Sequence, residues 1–187
     1  RVPGLVEWPA HIPKPRHTQF RASTSDLLPT LCALTGQPLP SRPLDGLDLT
    51  PVLDDKLRER PSPLCFWKFD TRNVPNSEAQ PWIVPELQSG TTPLVKLSGG
   101  KATRDFQNYR HPAIREKDYL GARAIIVGRH KLVIHDPKQE FFDLQADPAE
   151  KNNLLDQQPD LAGKLQKQLR NWQQSVLQSL TGKDYQK

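Results

Sequence analysis

Two neighbouring carboxylates, Asp54 and Asp55, form an acidic doublet and are the first candidates for metal chemistry in this sequence. Hard cations such as Ca²⁺ prefer carboxylate oxygens as ligands. Lys56 and Arg58 follow directly, however, and their positive charges oppose the binding of a divalent ion. The histidines show no spacing typical of a metal site, such as His-x-x-x-His. They are His11, His17, His111, His130 and His135. The sequence therefore predicts no metal site in this chain.

A second group of side chains able to bind a ligand lies between residues 94 and 112. This segment combines two aromatic rings, Phe106 and Tyr109, with a set of basic side chains. The basic residues are Lys96, Lys101, Arg104, Arg110 and His111. Cations donate charge-assisted hydrogen bonds to anionic ligands, and aromatic rings add stacking contacts. We therefore expect Lys101, Arg104, Arg110 and His111 to bind an anionic substrate. The alternative is an ordered surface loop with ordinary charges, which is the more common case.

Other familiar catalytic patterns do not fit. A phosphate-binding loop at Gly99-Gly100-Lys101 would need Gly at Val95 and Ser or Thr at Ala102. Cys32 and Cys65 both lie in apolar surroundings, where a free Cys behaves as a small hydrophobic residue. The sequence thus predicts no catalytic residue in this chain.

Local signals predict several regular elements in the first half of the chain. Residues 1–9 predict a strand, because apolar side chains recur along them. Ser23 and Asp26 form a capping box that starts a helix, and Gly36 ends it. A further strand is predicted from Leu64 to Lys68. Residues 70–120, rich in Pro and Gly, predict a long loop.

The second half predicts a small antiparallel sheet covered by a helix. Residues 122–127 and 130–135 form a hairpin through Gly128-Arg129, which suits a type II′ turn, and residues 140–144 form a third strand. Asp147-Pro148-Ala149-Glu150 predicts a short helical turn. A long C-terminal helix is predicted after Pro159 from a stripe at helical spacing: Leu161, Leu165, Leu169, Trp172, Val176 and Leu180. The expected fold class is α+β.

Three segments carry a family resemblance: residues 1–9, 128–133 and 140–154. In this order they resemble the C-terminal third of the type I sulfatases. The arylsulfatase and N-acetylgalactosamine-6-sulfatase branch of this alkaline-phosphatase superfamily is the most similar. The resemblance implies that residues 1–53 hold the last strand and helix of an α/β catalytic domain. Residues 54–63 would be a linker, and residues 64–187 a C-terminal α+β subdomain that contains the loop 70–120.

The resemblance also implies what the parent protein does. Sulfatases hydrolyse sulfate esters, here expected on a sulfated carbohydrate. They use calcium and a formylglycine made from the Cys of a Cys-x-Pro-x-Arg motif, which this chain lacks. The chain alone is thus expected to be inactive and to bind no cofactor, with an N-terminal catalytic domain as its missing partner. The residues themselves indicate no cellular location, whereas the resemblance implies an extracytoplasmic one, periplasmic or secreted.

Composition leaves two alternatives open. The net charge is +5, from 26 basic and 21 acidic residues, but the basic residues are scattered, which argues against nucleic acid. No apolar run is long enough for a membrane span. One alternative is a free-standing module that binds carbohydrate or another polyanion, and the other is the tail of a phosphate or phosphonate ester hydrolase. The strand 1–8 and the face of Leu27, Leu31 and Leu34 predict self-association of the chain.

Overall fold

The computed structural model describes residues 2–69, 97–98, 101–102, 111 and 113–185. The chain divides into two units, residues 1–64 and 65–187. The division falls one residue beyond the predicted boundary between linker and subdomain. The assignment of the first unit to a catalytic domain stays a prediction.

In the first unit, a capping box starts the 3-10 turn Thr24–Asp26, and helix α1, Leu27–Thr35, continues directly from this turn. The backbone N–H of Ser23 donates to Asp26 Oδ2 at 2.7 Å and completes the capping box. Pro29 lies in the first turn, where its missing N–H costs no helical hydrogen bond. Gly36 takes a left-handed φ of 68°, which a residue without Cβ adopts without strain. The predicted helix is confirmed at both ends.

The predicted strand over residues 1–9 is wrong. Residues 2–7 form no regular element, and the side chains of Val2 and Leu5 are 91% and 95% exposed. A strand is stable only where its backbone groups pair with a neighbouring strand. Among the described residues no strand pairs with this segment. An apolar pattern alone could not reveal that.

A buried carboxylate connects α1 with the rest of the first unit. Asp26 is fully buried, and it accepts hydrogen bonds from the backbone of Leu47 at 2.9 Å and from the guanidinium of Arg60. Thr30, also on α1, accepts one from the backbone of Leu49 at 2.9 Å. Leu49 precedes the short helix α2, Thr50–Leu53. Side chains at the start of α1 therefore bind the backbone at Leu47 and Leu49, just before α2.

From Leu64 onward, six strands are seen among the residues that the structure describes. They are β1 Leu64–Trp67, β2 Leu97–Ser98, β3 Lys101–Ala102, β4 Arg123–Val127, β5 His130–His135 and β6 Lys138–Asp143. Strands β2 and β3 pair with each other in antiparallel fashion. The other four form one sheet in the order β1-β4-β5-β6, with β4–β5 and β5–β6 antiparallel. The predicted strands at 64–68, 122–135 and 140–144 are all confirmed.

The turn between β4 and β5 is the predicted two-residue turn. Val127 pairs with His130, and Gly128-Arg129 connects them. Gly128 has a φ of 52°, and Arg129 is not among the residues with positive φ. This sign pattern is that of a type II′ turn, whose twist matches that of the adjoining strands.

Helix α3, Pro159–Thr181, covers one face of this sheet and forms the main core with it. Fully or almost fully buried side chains meet there from both sides. They are Ile125, Leu132, Ile134 and Phe141 of the sheet, with Ala162, Leu165 and Leu169 of the helix. Burial of one such large side chain stabilises the fold by about 1.5–3 kcal/mol. The prediction that the C-terminal helix packs on the 122–135 hairpin is confirmed.

The buried face of α3 departs from the predicted stripe in its second half. Trp172, Val176 and Leu180 are half-buried, whereas Gln173 and Leu177 are 2% and 0% exposed. The side-chain amide of Gln173 donates to the backbone oxygen of Tyr119 at 2.9 Å. A polar residue thus occupies a core position, because its hydrogen bond is satisfied there. Trp172 still packs against the core, edge-on to Trp67 with 6.3 Å between ring centroids.

The predicted helical turn at residues 147–150 is also wrong. Asp147 does cap the chain, but its Oδ2 accepts from the backbone of Lys151 and of Asn152, both at 2.7 Å. Glu150 takes a φ of 55°, outside the helical region. The segment therefore forms a turn closed by a side chain, and no helix propagates from it.

Beyond this turn the chain runs along the outer edge of β6. Phe141 donates its backbone N–H to Asn153 Oδ1 at 2.9 Å, and Leu154 donates its own to the backbone oxygen of Phe141 at 2.8 Å. Both backbone groups of Phe141 on this side are thereby paired.

Candidate functional site

The structure describes two of the four predicted substrate-binding residues, Lys101 and His111. Lys101 begins β3 and pairs with Ser98 of β2. Arg104 and Arg110 lie outside the described residues. His111 is described and stands at the C-terminal end of the cation-rich segment. Their joint role in binding an anion stays a prediction.

Hydrogen bonds from both its main chain and its side chain hold His111 in the second unit. Its backbone N–H donates to the backbone oxygen of Leu180 on α3 at 2.7 Å. Its Nε2 lies 3.1 Å from Asp118 Oδ2, and both side chains are buried, at 3% and 2% exposed. Asp118 Oδ2 also accepts from the backbone N–H of Arg115 at 2.7 Å. The Phe69 ring meets the imidazole edge-on at 6.3 Å.

The geometry gives His111 an internal, orienting role. A carboxylate that binds one ring nitrogen fixes the orientation of the imidazole. Among the described residues, His111 Nδ1 and Asp118 Oδ1 have no hydrogen-bond partner. Because the ring is buried, it orders the end of the cation-rich segment and does not face solvent in this structure. The sequence did not point to Asp118, because this residue lies in a segment without regular periodicity.

The turn that carries Asp118 is held on α3 by three further contacts. This turn is the 3-10 helix Glu116–Tyr119. Arg170 Nη2 donates to both carboxylate oxygens of Glu116, at 2.8 and 2.7 Å, and the Arg170 guanidinium lies 3.1 Å from the Tyr119 ring centroid. Gln173 binds the Tyr119 backbone, as described above. Helix α3 thus positions both ends of this turn, Glu116 and Tyr119.

The acidic doublet lies in the first unit and is already neutralised. Asp54 Oδ1 lies 2.7 Å from His11 Nε2, and Oδ2 lies 2.8 Å from Lys56 Nζ. The hydrogen bonds from Lys56 and His11 hold the pKa of Asp54 below its ordinary value. Asp55 pairs with Arg58 at 3.3 Å. Within the described ranges no three His, Cys, Asp or Glu side chains cluster as a metal site would require. Within those ranges the doublet, whose two carboxylates are already paired, does not fit a calcium ion.

The two cysteines lie on different elements, Cys32 on α1 and Cys65 on β1, and both are half-buried. Neither is part of a Cys-x-Pro-x-Arg motif. In the part of the chain that the structure describes, no helix has the length and apolar character that crossing a membrane requires.

Comparison with known proteins gives matches over most of this chain. Arylsulfatase A of Bos taurus is 33% identical over 162 residues, which cover 87% of this chain and 27% of the relative. Arylsulfatase A of Homo sapiens is 34% identical over 155 residues, covering 83% and 26%. An N-acetylgalactosamine-6-O-sulfatase of Bacteroides thetaiotaomicron is 28% identical over 165 residues, covering 88% and 26%. No family model matches.

The fold agrees with these matches. The crystal structure of Ps i-CgsB superposes with a TM-score of 0.55 at 16% identity, covering 94% of this chain and 32% of that one. The sheet with its C-terminal helix is similar to the sulfatase C-terminal subdomain. The chain is similar to curated sulfatases over most of its own length, and it spans about a quarter of the length of the relatives that it matches.

Proposed function

We propose that this chain is the C-terminal part of a sulfatase that hydrolyses sulfate esters of a sulfated carbohydrate. The observation that carries the proposal is the 33% identity with arylsulfatase A over 87% of the chain. The match to a protein named N-acetylgalactosamine-6-O-sulfatase supports a sugar as the substrate. An extracytoplasmic location, periplasmic or secreted, is part of the proposal.

In this proposal the chemistry resides in an N-terminal catalytic domain. A sulfatase needs an activated nucleophile and a divalent cation that neutralises the sulfate. Cys32 is followed by Ala33-Leu34, and Cys65 by Phe66-Trp67, so neither offers the Pro-x-Arg that formylglycine formation requires in this family. Formylglycine and calcium would both belong to the catalytic domain. The isolated chain would be inactive and would bind no calcium.

Helix α1 supplies a surface on which such a domain would pack. Leu27, Leu31 and Leu34 follow one another at helical spacing and are 57%, 58% and 42% exposed. An exposed apolar patch of this kind marks a protein interface. We assign the catalytic domain as its cover, with self-association of the isolated chain as the consequence when that domain is absent.

The cation-rich segment would contribute to substrate binding. Lys101, Arg104 and Arg110 supply positive charge for sulfate groups, and charge-assisted hydrogen bonds to such groups are short and strong. His111, buried against Asp118, holds the end of this segment on α3. In the longer protein, Lys101→Ala and Arg104→Ala should each raise KM for a sulfated saccharide by about tenfold. Lys151→Ala, an exposed cation elsewhere in the second unit, is the matched control.

The deciding experiment compares the longest gene product that contains this chain with the 187-residue chain alone. Both are assayed with an aryl sulfate, an aryl phosphate and an aryl phosphonate, and both are titrated with calcium by calorimetry. We expect sulfate-ester hydrolysis and calcium binding by the long product, and neither by the chain. Turnover of phosphate or phosphonate alone would favour the phosphoester hydrolase. Turnover by the isolated chain would refute the proposed division of roles.

A further inference from the structure

Gln173 is a buried amide among the leucines of α3. Its side chain is 2% exposed, which is comparable to the burial of Leu169 and Leu177 on the same helix. A leucine or methionine at this position would bury more apolar surface and would leave no polar group in need of a partner. The packing of α3 on the sheet therefore does not explain the amide. The hydrogen bond that the amide forms does explain it.

This hydrogen bond joins α3 to the backbone of the 3-10 turn Glu116–Tyr119. Nε2 of Gln173 donates to the backbone oxygen of Tyr119 at 2.9 Å, across 54 residues of sequence. The bond is buried, and Tyr119 itself is 7% exposed, so its backbone oxygen needs a donor from within the protein. A buried hydrogen bond of this kind fixes the register of the two elements that it joins.

The turn contains Asp118, the partner of His111. Asp118 directly precedes Tyr119, and its Oδ2 lies 3.1 Å from His111 Nε2. His111 also contacts α3 itself, because its backbone N–H donates to the backbone oxygen of Leu180 at 2.7 Å. Gln173 precedes Leu180 by seven residues, about two helical turns, so the two residues lie on one side of α3. This side of the helix therefore holds His111 both directly and through the turn.

Arg170 contacts the same turn in a different way. It pairs with Glu116 and lies over the Tyr119 ring. The side chains of Arg170 and Glu116 are 42% and 87% exposed, and an ion pair at such positions contributes little to stability and is screened by salt. The hydrogen bond of Gln173 is shielded from water and salt. Of these contacts, it is the one that binds the backbone next to Asp118.

We propose that Gln173 is a positioning residue for substrate binding. It fixes the 3-10 turn, and the turn orients His111 through Asp118. His111 in turn holds the C-terminal end of the cation-rich segment. Because Gln173 is buried, it acts without touching the substrate. The step from His111 to the substrate rests on the proposed function, whereas the step from Gln173 to His111 rests only on the contacts described above.

The test replaces Gln173 by Met in the longest gene product that contains this chain. Methionine keeps the length and the unbranched shape of the side chain but cannot donate the hydrogen bond. Gln174→Met makes the same replacement at an exposed neighbouring position of α3 and is the matched control. Gln173→Leu removes the amide with a different shape and guards against a defect that is peculiar to Met.

The first measurement is hydrogen exchange of the His111 backbone N–H. Exchange should be about three- to tenfold faster in Gln173→Met and Gln173→Leu, the range for one lost hydrogen bond, and unchanged in Gln174→Met. Unchanged exchange in both Gln173 variants would overturn the proposal, because the amide would then not hold His111. Equal acceleration in Gln174→Met would overturn it as well, since it would show a general effect on the helix.

The second measurement is the hydrolysis of a sulfated saccharide. Both Gln173 variants should raise KM about three- to tenfold and leave kcat unchanged, as the loss of a binding contact does. Faster exchange at His111 with an unchanged KM would restrict Gln173 to the fold and overturn its role in substrate binding. Failure of the proposed function would be distinct, because the unsubstituted protein would then turn over neither the saccharide nor an aryl sulfate.

Discussion

Both terminal nitrogens of Arg60 donate to the carboxylate of Asp26, at 2.7 and 2.9 Å, and the two side chains are 6% and 0% exposed. The same carboxylate caps the backbone of Ser23 and binds that of Leu47. One buried ion pair therefore joins the start of α1, the chain near residue 47 and the end of the first unit. Removal of this ion pair should destabilise all three of these segments.

Arg60→Gln should destabilise the first unit by about 3–5 kcal/mol, because it leaves the Asp26 charge buried without its partner. Arg58→Gln is the matched control: Arg58 is 80% exposed and pairs with Asp55, so its loss should cost about 0–1 kcal/mol. Urea unfolding of both variants measures the difference. Equal free energies of unfolding would contradict the assigned role of the pair.

The same pair predicts a loss of stability in acid. Burial alone would raise the pKa of Asp26, but the hydrogen bonds from Arg60, Ser23 and Leu47 outweigh it and lower the pKa below its ordinary value. A carboxyl whose folded pKa is depressed stabilises the fold above its unfolded pKa, about 3.9, and this stabilisation is lost as the pH falls through the folded pKa. The first unit should thus be stable at neutral pH and lose stability below about pH 4. Asp26→Asn, compared over the same pH range, should lack that part of the dependence. If the stability of the wild-type first unit does not fall below pH 4, this role of the Asp26 carboxylate is excluded.

Gly46 tolerates no side chain. A Cβ there would lie 1.9 Å from the backbone oxygen of Ser25 and 2.4 Å from its carbonyl carbon, so the two segments must move apart. Gly46→Ala should destabilise the first unit by several kcal/mol, at least the ~1–3 kcal/mol typical of overpacking. Gly163→Ala, in the open interior of α3, should stabilise the second unit by up to about 1 kcal/mol. Thermal unfolding of the two variants should shift in opposite directions, and a stable Gly46→Ala would refute the close approach.

His111→Ala should destabilise the second unit, because it leaves Asp118 buried without its partner. The expected cost is about 1–3 kcal/mol, as for other buried polar groups left without their hydrogen-bond partner. His135→Ala, at an exposed position of β5, should cost less than about 0.5 kcal/mol. Hydrogen exchange of the backbone N–H of His111, bonded to Leu180, reports the local effect. Unchanged protection in His111→Ala would show that the pair does not hold this segment.

The sequence predicts correctly those elements whose ends are determined by contacts between residues close together in the chain. Ser23, Asp26 and Gly36 fix the ends of α1 through contacts within a few residues, and Gly128 fixes the β4–β5 turn in the same way. The strand over residues 1–9 fails because a strand depends on a neighbour that apolar spacing does not reveal. The helical turn predicted at residues 147–150 is wrong because Glu150 has a left-handed φ, and such a φ at a residue other than Gly has no signal in the sequence.

The candidate site is less predictable because its contacts join residues distant in sequence. Gln173 enters the core through a hydrogen bond to Tyr119, 54 residues away, whereas helical periodicity counts apolar residues alone. His111 and Asp118 are seven residues apart in an aperiodic segment, so their pairing gives no pattern.

The outer side of β6 is closed to further strands where Asn153 and Leu154 occupy the backbone groups of Phe141. An incoming strand from a second copy would have to displace both hydrogen bonds before it could pair there. The loop after β6 therefore opposes strand pairing between two copies of the chain along this edge of the sheet. If copies of the chain do associate, the leucines of α1 are the expected point of contact, and polar substitution there should keep the chain monomeric while the sheet stays intact.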